Sequence, residues 1–306
     1  MKRHVPMLLG LFVGLSLLMT VVGAGSARAD NLQDRVTAGS QYASSRGTTI
    51  ALAVLDRATG QYRDNGAAAH QPIESASVMK VFIAENLLHR RDLGQISLSQ
   101  RDLNDMVGML RSSYNPAANR FWSAYGANGI VRDVISRYGL AETGLTSHPG
   151  YWGNTLITAH DMVRFYRRLL SGSGGLSTGS RDFIIEQLRR STPRGAGGTR
   201  QFFGLHDGLP REPIIGQKQG WMCCPNGDIY RHSTGFIDSS ARQIVVALSE
   251  EPSTRGAAHI EKSLTGAIQH MFPEGQIPGG PDATPVARDQ AGGRSAPARD
   301  VARAAP

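Results

Sequence analysis

Apolar residues fall along this chain in two rhythms, and the switches between them mark its elements. Residues 48–55 read Thr-Thr-Ile-Ala-Leu-Ala-Val-Leu, a β-branched and apolar run closed by the turn Asp56-Arg57-Ala58-Thr59-Gly60. Residues 61–63 then start a partner strand. From 77 to 89 the period changes: Val78, Val81, Phe82 and Leu88 fall on one side of a helix. The same spacing of three and four predicts helices over 103–110, 116–125, 129–138, 159–170 and 181–188. Strands return at 214–221, 229–237 and 243–249, and 256–272 reads as a closing helix. Strands drawn from both chain ends around a helical insertion predict an α+β fold, with one antiparallel sheet, a separate helical lobe, and a cleft between them.

The ends of the 306-residue chain read differently. Lys2 and Arg3 precede an uncharged apolar run from Met7 to Ala24, and Ala27-Arg28-Ala29 places small residues where a signal peptidase reads. Residues 1–29 are therefore expected to be a secretory signal, with a retained membrane anchor as the alternative, 30–272 a single domain, and 273–306 a disordered Pro/Gly/Ala-rich tail. Cleavage implies a secreted or cell-envelope protein without stable membrane insertion. No Cys lies near the cleavage site, so no lipid anchor is expected there. Losing Lys2, Arg3 and Arg28 lowers the formal charge from +8 to +5, which suits a solvated basic surface or anionic wall polymers better than nucleic acid. A monomer is expected. The only cysteines, Cys223 and Cys224, are adjacent, and form either a vicinal disulfide or two thiols.

Three short segments carry chemistry. Ser77-Val78-Met79-Lys80 puts a hydroxyl and an amine three positions apart, on one helical face, and a desolvated lysine can take a serine's proton. The plainer reading makes Ser77 a helix N-cap. Ser113-Tyr114-Asn115-Pro116-Ala117-Ala118-Asn119 is a polar loop entering a helix; Ser113 can relay a proton and Asn115 clamp an amide, or the pair can be ordinary capping residues. Lys218-Gln219-Gly220-Trp221 places a cation beside a glycine on a strand, where Gly220 would let a substrate backbone approach and Lys218 would attract a carboxylate; an edge-strand lysine that discourages aggregation is the alternative. Trp221 and Met222 are either a pocket wall or strand packing. The histidines, His160, His206 and His232 among them, show no metal-ligand spacing, so no metal and no cofactor is expected.

Taken in order, SxxK, SxN and KxG resemble the signature of penicillin-binding proteins and class A β-lactamases, over roughly residues 48–272. The resemblance implies Ser77 as acylated nucleophile, Lys80 as base and Ser113 as proton relay. It implies Asn115, Lys218, Gln219, Gly220 and Trp221 at the substrate, an oxyanion hole from the N–H groups of Ser77 and Trp221, and Asn119 as a buried tie between the helical lobe and the next loop. The implied substrates are β-lactams or peptidoglycan stem peptides. Tyr114 and Gln219 depart from the pattern. Residues 145–154, where class A enzymes hold the glutamate that activates deacylating water, contain no carboxylate; Glu142 lies in the preceding turn, and His148 is a lone loop histidine. Two functional classes follow: a serine hydrolase acylated at Ser77 that deacylates slowly, and a non-hydrolysing wall-binding or regulatory protein with the same cleft.

Overall fold

The unbroken apolar run at 48–55 has its explanation in cover on both faces. In the computed structural model, which describes residues 31–146, 148 and 150–279, strand β1 (Thr49–Asp56) is buried at every position but the first. Ile50, Leu52 and Val54 enter one core; Ala51, Ala53 and Leu55 enter another. A fully buried Leu or Val contributes about 1.5–3 kcal/mol, so a one-residue slip that exchanged the two sets would misfit every position of the strand. The partner strand β7 (Gln243–Pro252) alternates in the same way: Ile244, Val246 and Leu248 face the helical lobe, Val245 and Ala247 the opposite core.

The five-stranded sheet has the order β2-β1-β7-β6-β5, all antiparallel, with β2 (Gln61–Asp64), β5 (Ile215–Cys223) and β6 (Asp228–Ile237) completing it. One face is covered by α1 (Leu32–Ser45) and α9 (Ala257–Met271). The other face carries the lobe of α2 (Met79–Asp92), α3 (Gln100–Arg111), α4 (Asn115–Tyr125), α5 (Asn128–Tyr138), α6 (Ala159–Ser171) and α7 (Thr178–Arg189). A short pair, β3 (Ile73–Glu74) and β4 (Leu156–Ile157), and the single-turn helix α8 (Leu205–Gly208) lie outside the main sheet. This is the α+β arrangement the two apolar rhythms imply.

Three details differ from the sequence reading. Helix α1 precedes the first strand: Leu32, Val36, Gly39 and Ala43 form its buried stripe, and Gly39 lies so close to α9 that a Cβ there would sit 2.7 Å from Met271 Cγ. The expected boundary at 272 falls too early, since Ile277 is fully buried in the α1/α9 core and its N–H donates to the Glu212 carboxylate. Residues 273–279 are thus part of the packed domain, whereas the signal segment 1–29 and the tail 280–306 lie outside the described residues. Ser77 is not an N-cap: it sits in a 3-10 turn, Ala76–Val78, that runs straight into α2. Among the described residues, no helix is long and apolar enough to cross a membrane.

Candidate active site

Strand β5 is an edge strand, and its open side lies against the turn that carries Ser77. The contact is close because position 220 is glycine: a Cβ there would stand 2.7 Å from His232 Cδ2 and 3.0 Å from the Ser75 carbonyl oxygen. Gly220 therefore admits the protein's own turn that carries Ser77, where the sequence reading had it admitting substrate. His232 fixes the other side of that contact. It is fully buried, its ring bonds the Glu74 carbonyl at 2.7 Å and the Ser249 N–H at 3.3 Å, and burial lowers its pKa to about 4. At neutral pH it is an uncharged prop.

Two non-glycine residues at the site have left-handed backbones, Ala76 at φ 46° and Ser113 at φ 57°. Such conformations cost of order 1–3 kcal/mol and persist where the surroundings enforce them. Lys80, one turn into the helix after Ser77, is fully buried, and its Nζ lies 2.9 Å from Ser77 Oγ, 3.1 Å from Ser113 Oγ, 2.7 Å from the Ser113 carbonyl and 2.6 Å from Asn115 Oδ1. Four oxygens exceed the three protons of an ammonium. The Ser113 carbonyl and the Asn115 amide oxygen can only accept. A neutral amine satisfies both with its two N–H bonds and leaves its lone pair for a hydroxyl. Burial, with Lys218 nearby as a second cation, holds the Lys80 pKa well below its ordinary value, in the same direction.

Lys218 is also buried. Its Nζ donates to Ser113 Oγ at 2.7 Å and to the Gln219 carbonyl at 3.0 Å, and burial lowers its pKa to about 7. The Ser113 hydroxyl thus stands between two amines. This places Lys218 behind Ser113, not along the pocket wall as a direct carboxylate anchor.

The pocket itself has a volume of about 470 Å³ and is lined by Ser77, Asn115 and Asn119, by Gly150 to Asn154 on the loop, and by Trp221, Met222 and Cys223 on β5. Trp152 was not singled out by its sequence context, yet its ring centre lies 4.8 Å from Lys80 Nζ and its indole N–H donates to Asn119 Oδ1 at 2.8 Å. Asn119 does tie α4 to the loop, but from an exposed position, not a buried one. Trp221 and Met222 are pocket wall, and Cys223 and Cys224 are joined as a vicinal disulfide at its edge. Gln219 is a correction. Its side chain is buried away from the pocket, donating to Gln217 Oε1 at 2.7 Å and the Phe203 carbonyl at 3.2 Å. Glu142 does not reach the pocket; His70 and Thr158 hold its two oxygens elsewhere.

No family model matches this chain. Relatives exist in Mycobacterium tuberculosis (strain ATCC 25618 / H37Rv) and Mycobacterium bovis (strain ATCC BAA-935 / AF2122/97), both named "Putative lipoprotein LppW", each 44% identical over 246 residues, covering 80% of this chain and 76% of theirs. The chain belongs to the LppW family. Among solved structures, this LppW-family fold is similar to a β-lactamase from Chitinophaga pinensis DSM 2588, with a TM-score of 0.64 at 14% identity over 79% of this chain and 99% of that one. It is also similar to the TLA-3 extended-spectrum β-lactamase, with a TM-score of 0.64 at 13% identity over 80% and 99%. An ancestral class A β-lactamase matches at a TM-score of 0.61 and 20% identity over 80% and 100%. The fold is that of the class A β-lactamases.

Proposed function

We propose that this LppW-family protein is an exported serine hydrolase that is acylated at Ser77 by β-lactams or D-alanyl-D-alanine-type amides and releases the acyl group slowly. The observation that carries this reading is the Lys80 amine, dry, with two acceptor-only partners and a lone pair left for a hydroxyl 2.9 Å away. A binding module has no use for a neutral amine held against a serine.

On this reading the Ser77 proton passes to Lys80 Nζ as Oγ bonds the substrate carbonyl carbon. The oxyanion is met by N–H groups at Ser77 and on the open edge of β5 near Trp221. As the C–N bond breaks, the leaving nitrogen takes a proton from the Ser113 hydroxyl, which is resupplied by the ammonium of Lys80. Asn115 holds the substrate amide within reach. Deacylation then needs a base for water, and among the described residues that line the pocket there is no carboxylate and no imidazole. Export rests on the unbroken apolar run and small-residue site of the first 29 residues.

The test is incubation with a fluorescent penicillin followed by denaturing mass analysis. A stoichiometric adduct on the Ser77 peptide is expected, absent in Ser77→Ala and formed about 10²–10⁴-fold more slowly in Lys80→Gln. A folded wild-type protein that takes up no label would make the cleft a binding site. Label on another residue in Ser77→Ala would remove the assignment.

A further inference from the structure

A second cluster of ionisable side chains lies away from the pocket. His70, at the end of a 3-10 turn, Glu142, and His160, in the first turn of α6, each present a ligand atom, and the three atoms lie within 4.8 Å of one another. We propose that His70, Glu142 and His160 form a binding site for a borderline-soft divalent cation of the Zn²⁺ class.

The donor set is the first argument. Two imidazoles and one carboxylate suit zinc, whose bonds of about 2.0–2.2 Å hold tetrahedral donors about 3.3 Å apart. His70 Nδ1 is already 2.7 Å from Glu142 Oε1, and His160 Nδ1 is 3.5 Å from Glu142 Oε2. Small side-chain movements bring all three to one ion. The second argument is an orphaned pair. His160 Nδ1 and Asp161 Oδ1 are shut off from solvent, make no hydrogen bond, and lie 3.6 Å apart; the Asp161 side chain is fully buried. Leaving two buried polar atoms without a hydrogen bond carries a desolvation penalty. A cation held by His160 Nδ1 removes that penalty at the nitrogen, and Asp161 Oδ1 beside it is placed to be a fourth donor.

The third argument is the support around the ligands. Asp64 Oδ2 lies 3.2 Å from His70 Nε2, so the ring's far nitrogen donates to a carboxylate, as metal-bound imidazoles commonly do. Tyr62 in turn donates to Asp64 at 2.7 Å, Thr158 Oγ donates to Glu142 Oε2 at 2.8 Å, and Asp161 Oδ2 accepts from the Glu142 N–H and the Thr143 hydroxyl. The side chains of His70, Glu142 and His160 are 40%, 29% and 30% exposed, which leaves an entry path from solvent. Spacing could not reveal the set, because its members come from three separate segments. Its place in the chain gives it a use: His70 precedes β3 and the Ser77 turn, Glu142 starts the segment that leads to Trp152, and β3 pairs with β4 just before α6. One ion would fasten the roots of both pocket-bearing segments.

The test uses chelator-treated wild-type protein titrated with ZnCl₂ in a calorimeter and with CoCl₂ in a spectrophotometer. One equivalent should bind, with visible cobalt absorption of a nitrogen–oxygen site and a rise in unfolding midpoint of about 5 °C or more at 100 times the dissociation constant. Affinity should fall at least about 100-fold in His70→Gln and His160→Gln, and about 10–100-fold in Asp64→Asn, whose side chain meets the ligand set at His70 Nε2 and not at a metal-facing atom. Should any variant misfold, histidine modification by diethyl pyrocarbonate on the wild-type protein decides: Zn²⁺ should protect the peptides bearing His70 and His160. Absence of binding below millimolar Zn²⁺, binding undiminished in the variants, or protection confined to other histidines would overturn the site.

Discussion

Lys218 offers a quantitative check on the electrostatics of the candidate site. In the unfolded chain its ammonium keeps its proton up to the ordinary value of 10.5; in the folded protein burial lowers this to about 7. Between those limits the unfolded state binds one proton more than the native state. Stability therefore rises with pH from about 7 toward 10.5 and is lost as pH falls through that window. Each unit is about 1.4 kcal/mol, and with the native lysine half-protonated at pH 7 the gain from pH 7 to 10 is about 3–4 kcal/mol. Lys218→Met keeps the apolar stem and removes the amine. Urea unfolding of both proteins at pH 7, 8, 9 and 10 should show the wild type gaining about 3–4 kcal/mol on the variant. The difference cancels groups common to both proteins. Lys80 adds to it, since the variant lacks the neighbouring charge that helps lower the Lys80 pKa. Parallel curves, within about 0.5 kcal/mol across the range, would mean that native Lys218 keeps its proton like an exposed lysine and that the burial argument fails.

Three further substitutions test the packing and the chemistry. Gly220→Ala drives a methyl into His232 and the Ser75 carbonyl, so a cost of about 1–3 kcal/mol in thermal unfolding and slower penicillin labelling are expected; an unchanged melt and rate would show that the close approach has no role. Tyr151→Glu places a carboxylate on the pocket wall and should shorten the lifetime of the penicilloyl adduct, recovering part of the about 10²–10⁴ that a positioned base supplies, as followed by mass spectrometry; an unaltered lifetime, there and in Asn154→Asp, would mean that a missing carboxylate is not what slows release.

Most of the frame was legible because it follows from period. The run at 48–55 reads as a strand from its β-branched and apolar residues, with its cover on both faces visible only in the structure, and the helices of the lobe each keep an apolar stripe. Helix α1 was equally readable: Leu32, Val36, Gly39 and Ala43 have the helical spacing, but a mean composition of Gln, Ser, Thr and Gly masks it. The short β3–β4 pair has no period to read. At the site, SxxK and SxN could be placed because they are local on a helix and on the loop that leads into one. Trp152 could not, since its distance from Lys80 depends on how a loop of irregular backbone returns to the pocket. Gln219 shows the same limit from the other side: adjacency to Lys218 in sequence implied a shared site, while its side chain is buried against Gln217 and the Phe203 carbonyl, away from the pocket.

The geometry adds a reason for the order of the three segments that the sequence pattern does not contain. Ser113 Oγ has one proton and lies 2.7 Å from one lysine amine and 3.1 Å from another. Lys218 donates to that oxygen, and because the single lone pair of a neutral Lys80 is taken by the Ser77 hydroxyl, the Ser113 proton is left to point toward the pocket. Once Lys80 has taken the Ser77 proton, it becomes a donor to Ser113 Oγ as well and can replace the proton that Ser113 gives to the leaving nitrogen. On the proposed reading, a single hydroxyl thus passes a proton from Lys80 to the side where the amine of the cleaved bond departs. That relay needs Lys80 to be neutral before acylation, and burial lowers its pKa in that direction. The same dryness keeps these amines engaged with protein oxygens and leaves none of them facing water at the acyl carbon, so the features that favour acylation are also the ones that withhold its hydrolysis.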